Sequence, residues 1–271
     1  MGGDEQPERR AVDHDVFAVR FAIDETTCSE TFLRYGNYGK PDGTLLRAFY
    51  YWVVRGADEV VLFDCGFDQQ VADRHGHGRV EPIGAGLEAL SIAPGDVKLI
   101  VISHLHYDHV GNLAQFPNAE IAVQASEDEF WSSAMARRGL FSTLTEPEYM
   151  ASLERARAEG RLRLLHGDTE VAGGIRALSL PGHTPGQQGL VVESAARPVV
   201  LASDALHFRA ELDNDWPFMI LSDLVGMYES FDKLRGLDDA GHLIVPGHGP
   251  EVAGDFEVVR YGSDGVIARL Q

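Results

Sequence analysis

Six residues, His104-Leu-His106-Tyr-Asp108-His109, constrain this 271-residue chain more than any other stretch. They follow the apolar run Val97–Ile102 (VKLIVI), which reads as a buried strand. Four side chains able to ligate a metal are thus crowded at one strand end. Imidazole nitrogen and carboxylate oxygen are donors that proteins offer to zinc. A lone histidine is usually structural or solvated; four donors together after a buried strand point instead to a metal centre. In an irregular loop His104 and His106 can face one way and Asp108 and His109 another, so that one strand end serves two neighbouring ions.

Three further segments repeat the arrangement, each a loop with one donor after an apolar run. Pro181-Gly-His183-Thr-Pro-Gly186 follows Ile175–Leu180, Ser203-Asp204 follows Val199–Ala202, and Pro246-Gly-His248-Gly249 follows Leu243–Val245. With the first loop they supply seven donors. Chemistry carried on loops that a rigid scaffold holds is a common design.

The scaffold is legible as short strands at Val16–Ile23, Phe49–Val54, Val60–Phe63, Val97–Ile102, Ile121–Val123, Leu162–Leu165, Ile175–Leu180, Gln188–Val192, Pro198–Ala202 and His242–Val245. Helices are expected at Gly84–Leu90, Ser126–Arg138, Glu146–Gly160 and Leu221–Leu234, with Ser126 and Thr145 as N-caps. Strand clusters in both halves, separated by helices, predict an α+β fold of the αββα type: two mixed sheets packed face to face with helices outside. No repeat or linker divides the chain, so residues 1–271 are read as one domain, with residues 1–14 flexible and residues 125–160 a helical insertion.

Composition excludes several classes of function. There are 23 basic and 42 acidic residues, a formal net charge of −19. That charge repels nucleic acid and anionic membranes, although bound cations would neutralise some carboxylates. Two cysteines, Cys28 and Cys65, are too few for a disulfide framework and are read as free thiols. The polar N-terminus is not a secretory signal, and no apolar stretch is long enough to span a bilayer. A cytoplasmic location is expected, with a small molecule as partner.

The ordered series His104-x-His106-x-Asp108-His109, His183, Asp204, His248 resembles the metallo-β-lactamase superfamily over about Val16 to Pro250. The resemblance implies that fold and two divalent ions per chain, with Zn2+ expected. His104, His106 and His183 would hold one ion, Asp108, His109 and His248 the other, and Asp204 would bridge them. Asp64, in Phe63-Asp-Cys-Gly66, matches a position that orients a ligand histidine from behind. The implied chemistry is hydrolysis by a metal-bridging hydroxide attacking a carbonyl, with Asp108 passing a proton to the leaving group. His14, His75, His77, His166 and His242 are read as structural or exposed.

Within the superfamily, the β-lactamases that put cysteine at the Asp204 position and the flavodiiron proteins that replace His106 fit poorly. So do thioester hydrolases with a helical domain after the last histidine, and basic transfer-RNA-processing members. The segments His104–Asn112, Ser203-Asp204-Ala205, Phe17–Phe21 and Tyr50–Val54 look like the N-acyl homoserine lactonase branch. Lactone opening is therefore expected, with another acyl or cyclic bond (amide, imide, thioester, other ester) or non-catalytic metal binding as alternatives. That branch commonly carries tyrosine three residues after the bridging Asp, where this chain has His207. Two roles are open for His207: a catalytic donor to the substrate oxygen, or a ring packed beside the metals. Tyr35, Tyr38, Phe67, Phe141, Trp216, Phe218 and Met219 are candidates for the substrate wall. The segment around Phe130, Trp131 and Met135 is read as a cover for the site or a homodimer contact.

Overall fold

Apolar alternation in the strands builds the molecule outward from its centre. The computed structural model describes residues 13–57 and 59–271. Its strands are β1 (Asp15–Thr27), β2 (Thr44–Arg55), β3 (Val60–Phe63), β4 (Val97–Val101), β5 (Glu120–Gln124), β6 (Leu162–Leu165) and β7 (Thr169–Ala172). They continue as β8 (Ile175–Ser179), β9 (Gln188–Val192), β10 (Val199–Ser203), β11 (Leu243–Pro246), β12 (Glu257–Tyr261) and β13 (Gly265–Arg269). Eight strands form one sheet in the order β12-β13-β1-β2-β3-β4-β5-β6, and five form the other in the order β11-β10-β9-β8-β7. Both are mixed: β3 to β6 pair in parallel, as do β10 and β11, while the other pairings are antiparallel.

Successive side chains on a strand point to opposite faces. In the eight-stranded sheet Val16, Ala18, Tyr50, Trp52, Val54 and Phe63 face the other sheet, where Leu190, Val192, Val199, Leu201 and Val245 meet them. The alternate residues Phe17, Val19, Phe21, Phe49, Tyr51 and Val53 pack outward against helix residues such as Ile83, Leu87, Trp131 and Leu153. On the far side, Val200 and Ala202 pack against Met227, Phe231 and Leu234 of the helix Leu224–Asp239. Helix, sheet, sheet, helix is therefore the order of layers, as expected from the sequence.

The departures are local. Helix Ala125–Ser132 stops short of Arg138 because Ser133 leaves the helix and its Oγ accepts the Met135 N–H. Its N-cap is Gln124 rather than Ser126. Helix Pro147–Ala158 begins after Glu146 rather than Thr145, since proline is suited to the first helical position. The last long helix starts at Leu224, where Asp223 caps it by accepting the Val225 N–H. Helix Gln69–His75 was not expected, although Asp68 caps it and the left-handed Gly76 ends it. Strands β7, β12 and β13 were also not expected; β12 is an edge strand whose residues are mostly exposed.

Of the expected flexible segment 1–14, residues 1–12 lie outside the described residues. His14, at its end, is buried, and its Nδ1 donates to the Glu193 carbonyl at 3.0 Å. Cys28 and Cys65 are free thiols. Among the described residues, no helix is long and apolar enough to cross a membrane.

Candidate metal centre

Parallel pairing decides where the donors meet. β3 and β4 run together, as do β10 and β11, and β8 shares the direction of β10 because both are antiparallel to β9. The loops that leave the C-terminal ends of these strands converge on one rim. All seven donors read from the sequence come together there, and Asp64 joins them from behind.

They form two clusters. In the first, His183 Nε2 lies 3.2 Å from His104 Nε2 and 2.9 Å from His106 Nδ1. In the second, His109 Nε2 is 3.4 Å from Asp108 Oδ2, and His248 Nε2 is 3.8 Å from the same atom. Asp204 lies between them: Oδ1 is 3.2 Å from His109 Nε2 and 3.1 Å from His248 Nε2, while Oδ2 is 3.5 Å from His183 Nε2 and 4.0 Å from His104 Nε2. Each cluster is compact enough to enclose a metal ion.

The outer faces of the imidazoles fix what the inner faces offer. His183 Nδ1 donates to the Ile220 carbonyl and His248 Nδ1 to the Ala48 carbonyl, both at 2.7 Å. A carbonyl accepts only, so both rings carry a proton on Nδ1 and turn Nε2 inward. Burial, with the charge of neighbouring histidines, holds His104 and His183 well below the usual imidazole range, and burial takes His106 down to about 4. Three neutral rings thus crowd their nitrogens together with too few protons to pair them, an arrangement that a divalent cation satisfies.

The second cluster reaches the same requirement from charge. Burial disfavours a charged His109, but the carboxylates of Asp204, Asp108 and Asp64 outweigh it and raise its pKa well above the ordinary value. His109 Nε2 is nevertheless buried without a well-aligned hydrogen bond. The carboxylates call for positive charge at that point, and a cation can take the proton's place. His109 Nδ1 donates to Asp64 Oδ2 at 2.8 Å, while Asp64 Oδ1 accepts the Ser103 N–H at 2.7 Å. Asp64 therefore holds both the ring and the start of the His104 loop, and it does so from a left-handed backbone (φ 63°) at the end of β3.

His207 is buried, with Nε2 2.9 Å from Asp204 Oδ2 and Nδ1 3.4 Å from Glu211 Oε1. Its ring stacks on Phe218 at 3.6 Å. Burial lowers its pKa, but the two carboxylates outweigh this and raise it to about 9.

A cavity of about 70 Å³ opens over the clusters, walled by Arg47, Phe49, Tyr107, Leu144, Phe218 and Ile220. Leu144 and Ile220 also border a larger apolar groove of about 590 Å³, shared with Phe141, Met219 and Leu221. Of the wall candidates, Phe218 reaches the cavity and Phe141 and Met219 the groove. Tyr35, Tyr38 and Trp216 instead form a cluster with Phe32 and Phe208, and Phe67 lies in the core under Phe21 and Phe49. Trp131 is buried, with its ring T-shaped to that of His106 at 5.5 Å between centroids, whereas Met135 is exposed.

Several residues of the site went unread in the sequence. Arg47 pairs in a bidentate manner with Asp24, whose Oδ2 is also 2.7 Å from His77 Nδ1. His77 Nε2 is 2.7 Å from the Tyr107 hydroxyl, and His75 stacks on that ring at 3.8 Å. His75 and His77 are thus structural, as read, but they brace the cavity wall. Glu127 is fully buried beside the His104 and His183 loops. Its neighbours Asp128 and Glu129 read the same in sequence, so only burial sets it apart.

Known proteins resemble this chain in sequence and fold. The metallo-beta-lactamase superfamily model matches residues 46–248, about three quarters of the chain. An N-acyl homoserine lactonase of a Bacillus species is 30% identical over 177 residues, 63% of this chain and 65% of that relative. The chain therefore matches slightly less than two thirds of that relative's length. Among solved structures, a quorum-quenching N-acyl homoserine lactone lactonase superposes with a TM-score of 0.74 at 22% identity, over 93% of this chain and 99% of that one. AidC, a dizinc quorum-quenching lactonase, gives 0.69 at 20% identity over 89% of this chain and 90% of its own. The extent of the family match, together with the shared architecture and the donor series, establishes that this chain belongs to the metallo-beta-lactamase superfamily.

Proposed function

We propose that this protein is a hydrolase that binds two divalent cations, with zinc the best fit to five imidazoles and two carboxylates, and opens the ring of a lactone. The observation that carries this reading is the pair of donor clusters sharing Asp204 beneath a cavity that continues into an apolar groove. His104, His106 and His183 would hold one ion, Asp108, His109 and His248 the other, with Asp204 between. Two such ions supply a water made nucleophilic at neutral pH and a Lewis acid for the acyl oxygen.

The chain's own residues do the remaining work. Asp108 borders the cavity and is a carboxylate: burial raises its pKa, but the charge of His109 outweighs that and holds it far below the usual range. Its Oδ2 faces His109 and His248. Oδ1 is then the atom to take a proton from the attacking water and return it to the ring oxygen as the ester C–O bond breaks, giving a hydroxy acid. Arg47 stands on the wall as a donor for a substrate carbonyl, whereas the Tyr107 hydroxyl is held by His77 Nε2. His207 sits against Asp204, which favours holding that carboxylate over reaching the substrate.

The small cavity suits a lactone ring, and the neighbouring groove suits an apolar tail. An N-acyl homoserine lactone combines the two, and the named relatives act on such lactones. The test is proton release from N-hexanoyl homoserine lactone by the zinc-loaded chain, compared with simple lactones and with thioester and amide analogues. Faster turnover of the acylated lactone supports the reading; hydrolysis of thioesters or amides alone replaces the substrate class.

A further inference from the structure

Glu127 is a carboxylate with no exposed surface and no cation paired with it among the described residues. Taking an isolated charge out of water costs several kcal/mol, so the site must supply compensation. Four donors do so. Oε1 accepts the Leu105 N–H at 2.9 Å and the Trp131 indole N–H at 2.6 Å. Oε2 accepts the Thr184 hydroxyl at 2.7 Å and the Gly186 N–H at 2.9 Å.

The identity of those donors is what matters. Leu105 stands between His104 and His106, and Thr184 follows His183, so each oxygen grips one of the two loops that build the first cluster. Trp131, held by the same oxygen as Leu105, packs its ring T-shaped against that of His106. The approach is close: a Cβ at Gly186 would lie 2.3 Å from the Glu127 backbone nitrogen. The second cluster has other supports, the Ala48 carbonyl behind His248 and Asp64 behind His109, Asp64 also taking the Ser103 N–H ahead of His104.

We propose that Glu127 is a positioning residue that fixes His183 relative to His104 and His106, and thereby sets the cation affinity of the first cluster in preference to the second. The inference rests on the reading that these three histidines hold one of two ions. Outer partners of metal ligands commonly carry about 10–100-fold in affinity. Glu127→Gln puts an amide donor against donors on one of the two loops, so two of the four bonds are lost at nearly constant volume.

The test is zinc binding to the full chain, measured by competition with a chromophoric chelator and needing no substrate. The wild type is expected to hold two Zn2+. Glu127→Gln should release one of them about 10–100-fold more readily and leave the other unchanged. Asp64→Asn should weaken chiefly the other ion, since Asp64 holds the His109 ring and, less directly, the Ser103 N–H ahead of His104, and the double variant both. Thr184→Val removes one of the four bonds with little change in shape and should give a smaller loss at the same ion as Glu127→Gln; it decides the matter if Glu127→Gln does not fold. Equal loosening of both ions, or no loosening in Thr184→Val and Glu127→Gln, overturns the role of Glu127. A wild type that holds fewer than two ions overturns the two-cation reading, and does so before any variant is compared.

Discussion

The floor and the walls of the cavity are built on opposite plans. The floor consists of donors at strand ends, with the imidazoles of His109, His183 and His248 backed by Asp64 and the Ile220 and Ala48 carbonyls. The walls are assembled from segments far apart in the chain: Arg47 and Phe49 from β2, Leu144 before a helix, and Phe218 and Ile220 from a loop. Of these, Phe49 and Phe218 are buried and Arg47 is braced by Asp24, whereas Ile220 and the groove residue Met219 are exposed. The floor is therefore set for one chemistry, and the walls are where substrate preference can change without disturbing it.

Removing the floor should have the largest effect. Asp204→Ala takes the shared carboxylate from both clusters and should lower lactone turnover by at least about 10³-fold, the scale of losing a major electrostatic element of an active site. A variant that keeps turnover within about tenfold breaks the distinction, because the floor would then not be the reacting centre. Stripping the cations with a chelator should also act on stability. Binding at a thousandfold excess over Kd contributes about 4 kcal/mol, which corresponds to a fall in Tm of roughly 10 °C on removal. Differential scanning calorimetry with and without zinc reads this directly, and an unchanged Tm would mean that the clusters are not occupied in the native protein.

The walls should give smaller and more selective changes. Each methylene of an acyl tail buried in the groove contributes about 0.8 kcal/mol, or roughly fourfold in kcat/KM. Leu144→Ala and Ile220→Ala should flatten that dependence on chain length while leaving turnover of unsubstituted lactones nearly unchanged. A parallel loss on all substrates would move these residues from the wall into the floor.

The smallest effect concerns the brace behind Arg47. Burial raises the Asp24 carboxyl, but hydrogen bonds from His77 and Arg47 and the charge of Arg47 outweigh it, leaving its pKa below the ordinary value. A carboxyl depressed in the folded state adds stability above its unfolded pKa and loses it as the pH falls through the folded one. In metal-free protein, the Tm advantage of wild type over Asp24→Asn should thus be present at about pH 6 and fade below about pH 4. An advantage that grows toward acid would contradict the ion pair.

The same contrast explains what could be read before the structure. The floor was legible because its donors lie in four short motifs, each after an apolar run, and parallel strands bring such ends to one rim. The two sheets were legible from alternation in segments such as Val16–Ile23. Edge strand β12 was not, since exposed Val258 and Val259 sit among charged residues without a buried face. Helix Gln69–His75 was missed although its cap signals, Asp68 and Gly76, were present. The walls were largely hidden because a pocket depends on tertiary distance: Phe218, Phe141 and Met219 were found, while Tyr35 and Trp216, which looked alike in sequence, pack against each other. Arg47, Tyr107 and Glu127 carried no signal of their own; each acquires a role only through what the fold places beside it.

The central claim is tested most directly by measuring metal content and lactone hydrolysis on one sample, by elemental analysis and proton release, as zinc is titrated into metal-free protein. Activity that rises with zinc and reaches its plateau at two ions per chain is the expected result. Full activity without bound zinc, or two bound ions with no hydrolysis of any lactone, would contradict it.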